Sequence, residues 1–211
     1  MSQELLYLDA AVCILLAAAA AFRARLAGGH LAGAVLLGLL CGLCPLLLRM
    51  CLPAPPDQNW DWLLAHSAPW ALGGAVVGGL PLQMAMLRQY EDNLYFWLDS
   101  LALGLNTCLH VVLFCLLGWS PLCALVLAVL LGLAPGLIRD VTLGYVAALV
   151  EENWYGMAAV LGAMLTLLCV VLDAAGLSPL ELSSRGPEAV YILLGTAAML
   201  GMRVWRRRAG L

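Results

Sequence analysis

The sequence carries two copies of one proline-containing segment, placed 90 positions apart. Residues 41–50 read CGLCPLLLRM and residues 131–140 read LGLAPGLIRD, so that glycine, proline and arginine recur at matched positions. A Leu-Asp pair recurs at the same offset, and its aspartates, Asp9 and Asp99, each precede the arginine of their copy by 40 residues. A duplication of this length restricts the fold to an architecture with two related halves.

The two copies lie in a chain that is apolar enough to be embedded in a membrane. Apolar residues make up 64% of the 211 positions and charged residues 11%, whereas soluble domains carry about 25% charged residues. A spanning helix needs about 20 predominantly apolar residues. Seven runs are candidates, at residues 5–22, 30–51, 67–87, 94–117, 120–138, 155–175 and 187–204. We therefore predict an all-α membrane protein with seven transmembrane helices.

The repeat predicts how these helices are arranged. Residues 1–89 form a first three-helix repeat, residues 90–178 a second, and residues 179–211 a seventh helix with a basic tail. Because three is odd, the second repeat enters the membrane from the opposite face. The result is an inverted-topology repeat, which is typical of transporters and some channels.

The arginines predict the orientation. The tail Arg203–Arg208 is the strongest basic segment, and basic residues favour the cytoplasmic side. We expect a multi-pass protein of a bacterial or archaeal inner membrane, with its N-terminus outside and its C-terminus in the cytoplasm. Arg206, Arg207 and Arg208 are expected to contact anionic lipid heads. Nothing in the sequence favours nucleic acid as a partner.

Proline at the centre of each copy predicts a helix break. Pro45 and Pro135 lack an N–H group, so the carbonyls of Cys41 and Leu131 lose their helical partner. Such carbonyls are tolerated in a bilayer only against protein or water. One interpretation is a packing kink; the other is a water-filled pathway whose carbonyls coordinate a cation. The hinge would also include Ala134 and Gly136.

Five charged residues lie inside or at the ends of the predicted spans: Asp9, Asp99, Arg49, Arg139 and Asp140. A charge at the centre of a spanning helix costs about 2.5–3.5 kcal/mol on insertion scales, so pairing is expected. The 40-residue spacing allows pairing within each repeat or crosswise between repeats. The pairs would either line a solute pathway or hold the helices together.

Other polar residues in the spans give weaker signals. Asn106 and His110 lie one turn apart on the fourth span and would extend a polar stripe from Asp99, or form an interhelical hydrogen bond. The eight cysteines all fall in apolar runs, where cysteine is a packing residue, so we predict no metal site. The sequence has no catalytic motif of the common hydrolase, phosphate-binding or metalloprotease types, and we predict no cofactor and no enzymatic activity.

The duplicated Leu-Asp and the arginine after the proline, with Asp140 following Arg139, resemble the trimeric intracellular cation (TRIC) channel superfamily, in particular its bacterial branch of glycine-transporter-domain proteins. The resemblance covers nearly the whole chain and is best between Gly132 and Gly144. It implies a homotrimer with one pore in each protomer. It also implies kinked second and fifth helices that line the pore, and conduction of monovalent cations, chiefly potassium.

The sequence departs from that family at the kinks. Three consecutive glycines are replaced by residues 44–46, CPL, and 134–136, APG, and Met50 stands where the second repeat has Asp140. Three functions therefore compete. The first is a cation channel, the second is a carrier for glycine or another small zwitterion, and the third is a non-conducting membrane scaffold.

Overall fold

The computed structural model describes residues 3–52, 60–80, 91–145, 154–177 and 187–209, and the side chains of Trp60, Asp61, Glu91 and Pro187 are not included. All regular structure in these residues is α-helical. The seven helices are α1 (Gln3–Leu26), α2 (Leu31–Met50), α3 (Trp60–Gly79), α4 (Glu91–Leu116), α5 (Pro121–Thr142), α6 (Tyr155–Ala174) and α7 (Pro187–Ala209). The prediction of an all-α protein with seven helices is confirmed.

Six of these helices, all except α3, are long and apolar enough to cross a membrane. Their length and composition, together with the fold described below, make this a multi-pass membrane protein. The predicted bounds of these six spans agree with the helices to within a few residues.

The first helix of each repeat lies at the centre of the fold. Helix α1 packs against α2, α3 and α4, and helix α4 packs against α5, α6, α7 and α1. These two are the most buried of the six spans. Arg23 near the end of α1 stacks on the ring of Tyr95 near the start of α4, 4.9 Å from its centroid. This contact shows that the two packed helices run antiparallel. The inverted relation of the two repeats follows from this contact.

The ends of α1 and α4 show that the repeat extends to local structure. Gly28 and Gly118 follow these helices with φ of 84° and 78°, a left-handed conformation that glycine adopts without strain. Their N–H groups donate to the carbonyls of Arg25 and Cys115. The two glycines are 90 positions apart, so the same helix stop was retained in both copies.

The third span begins earlier than the sequence prediction. It was expected at residues 67–87, but α3 runs from Trp60 to Gly79. The segment 60–66, WDWLLAH, has enough apolar and aromatic side chains to start the helix. Gly78 and Gly79 lower helix propensity at the other end, and residues 81–87 lie outside the described residues.

The predicted helix breaks at the prolines are wrong. Pro45 lies inside the continuous helix α2, and Pro135 lies inside the continuous helix α5. A proline removes one hydrogen bond from a helix, but neighbouring helices and side chains can satisfy the freed group within a membrane protein.

Candidate functional site

The intramembrane charges pair within each repeat. In the first repeat, Arg49 Nη2 donates to Asp9 Oδ1 at 2.7 Å. In the second, Arg139 Nη1 donates to Asp99 Oδ1 at 2.6 Å. Of the two pairings that the 40-residue spacing allowed, the one within each repeat is therefore observed, and the crosswise one is not.

The second-repeat pair belongs to a larger cluster of four charges. Arg139 Nε donates to Asp140 Oδ1 at 2.7 Å, and Arg203 Nη1 from α7 donates to Asp99 Oδ2 at 3.0 Å. Asp99, Arg139 and Asp140 are at most 5% exposed. We call Asp99, Arg139, Asp140 and Arg203 the second-repeat cluster. Each oxygen of Asp99 receives a different arginine, which compensates for much of the cost of burying the carboxylate.

Aromatic rings surround the second-repeat cluster. The guanidinium of Arg139 lies 5.3 Å from the ring centroid of Tyr95. That of Arg203 lies 5.1 Å from Phe96 and 4.7 Å from Tyr155. Ring faces attract cations, the more strongly the less water is present, so these rings stabilise the charged form of both arginines.

The first-repeat pair has fewer partners. Asp9 and Arg49 are 2% and 6% exposed, and only one hydrogen bond joins them. No partner among the described residues reaches Asp9 Oδ2 or Arg49 Nε. The reason is visible in the sequence: Met50 replaces the carboxylate that binds the corresponding nitrogen of Arg139.

The two charged groups are well separated along the bundle. Asp99 lines the same small cavity as Ala19 of α1, whereas Asp9 lies ten residues earlier on α1. At 1.5 Å per residue this corresponds to about 15 Å along the helix axis. The guanidinium groups of the two copies therefore do not meet around one passage at mid-membrane. One charged group lies toward each end of the bundle.

A small cavity of about 10 Å³ lies beside the second-repeat cluster. This is room for about one water molecule. Its walls include Asp99 and Arg139, together with Cys41 of α2 and Pro135 and Gly136 of α5. The thiol of Cys41 donates to the carbonyl of Pro135 at 3.5 Å. The structure therefore brings together residues from both proline segments. Ala134 is partly buried next to them, and Pro45 is buried further along α2.

The carbonyl of Leu131 is satisfied by a side chain from the neighbouring helix. Pro135 cannot donate to it, and Asn106 Nδ2 of α4 donates to it instead at 3.0 Å. This confirms an interhelical hydrogen bond for Asn106, which sequence reasoning had considered. His110 lies one turn further along α4 and shares a 2.6 Å hydrogen bond with the carbonyl of Asn106. It therefore bonds to its own helix.

Sequence reasoning missed three parts of this site. Arg203 was assigned to the basic tail, although it precedes Arg206 by nearly one turn and lies inside a predicted span. Tyr95 is one turn before Asp99 on α4, a spacing that places both on one helix face. Tyr155 OH lies 3.5 Å from Asp99 Oδ1, a contact between helices that no local pattern reveals.

The remaining predicted residues are placed as follows. Arg206 stacks on Trp154 and Arg207 on Phe96, with 4.9 and 4.6 Å to the ring centroids. Arg207 and Arg208 are exposed at the end of α7. Within the described ranges, no group of three His, Cys, Asp or Glu side chains could hold a metal ion.

Comparison with known proteins gives both a sequence and a structural match. Residues 96–170 match the family model described as Glycine transporter. The crystal structure of the TRIC trimeric intracellular cation channel orthologue from Rhodobacter sphaeroides is similar with a TM-score of 0.79 at 24% identity, over all of both chains. A prokaryotic TRIC channel crystallised in 0.5 M KCl gives 0.74 at 16% identity over 98% of each chain. No curated protein matches at a significant level.

A further TRIC cation channel structure gives a TM-score of 0.65 at 15% identity, and the match covers 100% of this chain and 95% of that one. The expected fold is therefore confirmed: the chain has the fold of the solved TRIC channels over its whole length, and residues 96–170 match the Glycine transporter family model.

Proposed function

We propose that this protein is a monovalent cation channel, with a pathway in each protomer that passes between α2 and α5. The observation that carries the proposal is the cavity where Cys41 of α2 and Pro135 of α5 meet the central helices α1 and α4, which a buried carboxylate, Asp99, also lines. A buried carboxylate beside a cavity within a spanning bundle is typical of an ion or solute path. The similar solved structures are named as cation channels.

The conducting state requires a change of conformation. A cavity of about 10 Å³ holds about one water molecule and excludes a hydrated ion. Cys41 and Pro135 touch across the gap between α2 and α5, so these two helices must separate for ions to pass. Potassium is the permeant ion that we expect, on the basis of the family resemblance.

The assembly and orientation are part of the same proposal. The relative from Rhodobacter sphaeroides is named as trimeric, and we propose a homotrimer for this chain. Arg23 and the second-repeat cluster lie at the end of the bundle where α7 also ends. Because basic residues favour the cytoplasmic side, we place that end and the C-terminus in the cytoplasm, and the N-terminus outside.

A carrier for glycine or another small zwitterion is the second candidate. The matching family model is described as Glycine transporter. In addition, Asp9 Oδ2 and Arg49 Nε lack partners among the described residues. A zwitterion supplies an ammonium for such a carboxylate and a carboxylate for such a guanidinium.

The two functions are separated by measuring potassium currents in planar bilayers and uptake of labelled glycine into proteoliposomes, with one preparation. Currents that rise linearly with potassium concentration support the channel. Saturable glycine uptake without currents supports the carrier. A folded preparation with neither activity supports the third candidate, a non-conducting membrane scaffold.

The location of the pathway is tested with the thiol that lines the cavity. A charged methanethiosulfonate reagent should reduce the potassium current, because a modified Cys41 fills the space beside Pro135. Cys41→Ala should conduct and resist the reagent. Cys44→Ala, which removes a buried thiol three residues away on α2, is the matched control and should remain sensitive. Equal sensitivity of both variants would place the pathway elsewhere.

A further inference from the structure

Arg203 enters the site from outside the two repeats. It belongs to α7, and its guanidinium contacts three side chains of the second repeat. Nη1 donates to Asp99 Oδ2 at 3.0 Å. The guanidinium carbon lies 5.1 Å from the ring centroid of Phe96 and 4.7 Å from that of Tyr155. A carboxylate and two rings from α4 and α6 thus surround one planar cation from α7.

This arrangement has the chemistry of a binding site for a planar cation. Aromatic faces with a carboxylate select weakly hydrated cations such as guanidinium, whereas potassium would have to give up its water to use the rings. Asp99 and Tyr155 are 5% and 4% exposed, so the contacts are made away from bulk water. The first repeat has no such cage, since Leu6 stands at the position of Phe96.

We propose that Asp99, Phe96 and Tyr155 form a guanidinium-binding site that Arg203 occupies, and that its occupancy closes the cytoplasmic end of the pathway. The second part rests on the proposed channel function; the first does not. Arg139 donates to one carboxylate oxygen of Asp99, and Arg203 donates to the other. A permeant cation therefore meets two arginines at this carboxylate, and removal of Arg203 exposes one oxygen of Asp99.

Binding is tested with Arg203→Ala and methylguanidinium. The variant removes the guanidinium that lies between Asp99 and Tyr155, while Arg207 remains over Phe96. A ligand that binds only the folded state raises its stability. We expect low millimolar methylguanidinium to raise the Tm of Arg203→Ala by about 2–4 °C. Methylammonium at equal concentration controls for ionic strength and charge and should have little effect. Arg206→Ala is the matched control, because it removes the same charge from α7 but leaves Arg203 in place; it should not respond.

Closure is tested in planar bilayers with the same variants. Arg203→Ala should carry a several-fold larger potassium current than the wild type, and methylguanidinium added on the cytoplasmic side should return the current toward the wild-type level. Arg206→Ala should behave as the wild type. A rise in both variants would show a general effect of charge, which contradicts the proposed closure.

The binding and conduction results separate the two proposals. A Tm response confined to Arg203→Ala, with no current in any variant, keeps the guanidinium site and removes the channel. Equal Tm responses in Arg203→Ala and Arg206→Ala overturn the site. If Arg203→Ala does not fold, Arg203→Gln takes its place; failure of both to fold, with no recovery when methylguanidinium is present during expression, also overturns it.

Discussion

The side chain of Asn106 on α4 compensates for the backbone N–H that Pro135 lacks on α5. Pro135 removes the N–H that would bind the carbonyl of Leu131, and Asn106 of α4 supplies one from its side chain at 3.0 Å. Asn106 is fully buried, so its hydrogen bond is made without competition from water. The first repeat has Leu16 at the position of Asn106, and the compensation is therefore particular to α5.

We predict that Asn106→Leu lowers the free energy of unfolding by about 1–3 kcal/mol, because the buried Leu131 carbonyl loses the side-chain donor that replaces the N–H of residue 135. Pro135→Ala restores the backbone N–H and should make the same Asn106→Leu change much less costly. The measurement is reversible unfolding in mixed detergent micelles for the wild type, both single variants and the double variant. A coupling energy near zero in this cycle would show that the carbonyl does not depend on Asn106.

Small residues at the element scale allow the helices of each repeat to pack closely. A β-carbon at Gly42 would lie 2.9 Å from the Ala17 Cβ and 2.9 Å from the Cys13 carbonyl oxygen. A β-carbon at Gly132, the same position in the second repeat, would clash with Thr107 of α4. Both glycines lie three residues before the proline of their segment. Helices α2 and α5 therefore approach the central helices α1 and α4 closely in the turn where the proline removes a backbone hydrogen bond.

We predict that Gly42→Ala and Gly132→Ala each lower the free energy of unfolding by about 1–3 kcal/mol through overpacking. Gly33→Ala on α2 is the control, because nothing lies within 4 Å of its added β-carbon. It should be neutral or slightly stabilising, since alanine has the higher helix propensity. The same detergent unfolding assay applies. Similar changes in the free energy of unfolding for Gly33→Ala and Gly42→Ala would mean that the close contact at Gly42 does not determine the result.

The elements were predictable from sequence because a membrane span has a fixed length and composition, and the inverted repeat followed from the matched motifs. The continuity of α2 and α5 was not predictable, since the compensation at Pro135 comes from Asn106, 29 positions away. The pairing of Asp99 with Arg139 was one of two predicted alternatives. The contact of Asp99 with Arg203, 104 positions away, could not be predicted from the repeat, because α7 lies outside both copies.

At the scale of the whole molecule, the two ends of the bundle differ in charge. The second-repeat cluster contains two arginines and two aspartates. Arg23 lies nearby over Tyr95 and Tyr145, 4.9 and 4.7 Å from their centroids. Toward the other end lies the pair of Asp9 and Arg49, which a single hydrogen bond joins. A bundle built from two related repeats thus has a pathway with unlike ends, and α7 adds to the difference.

Met50→Asp tests whether this difference matters for conduction. The new carboxylate occupies the position of Asp140 and should bind Arg49 Nε, as Asp140 binds Arg139 Nε at 2.7 Å. Because Met50 is 37% exposed, the added charge is only partly buried and Tm should not fall. The net charge of the group formed by Asp9, Arg49 and residue 50 changes from zero to −1, which raises the local concentration of cations.

We expect Met50→Asp to increase the potassium current entering from this end about two- to fivefold at low ionic strength, which corresponds to about 0.5–1 kcal/mol of added attraction. The increase should shrink as salt is raised, because exposed charges are screened. Met50→Asn introduces a side chain of nearly the same shape as aspartate but without its charge, and this variant should conduct as the wild type. Since the current must pass both ends, an effect of Met50→Asp that appears only when Arg203→Ala is also present would identify the second-repeat cluster as the rate-limiting end. No effect in either background would mean that the pair of Asp9 and Arg49 lies off the pathway and serves only to join α1 to α2.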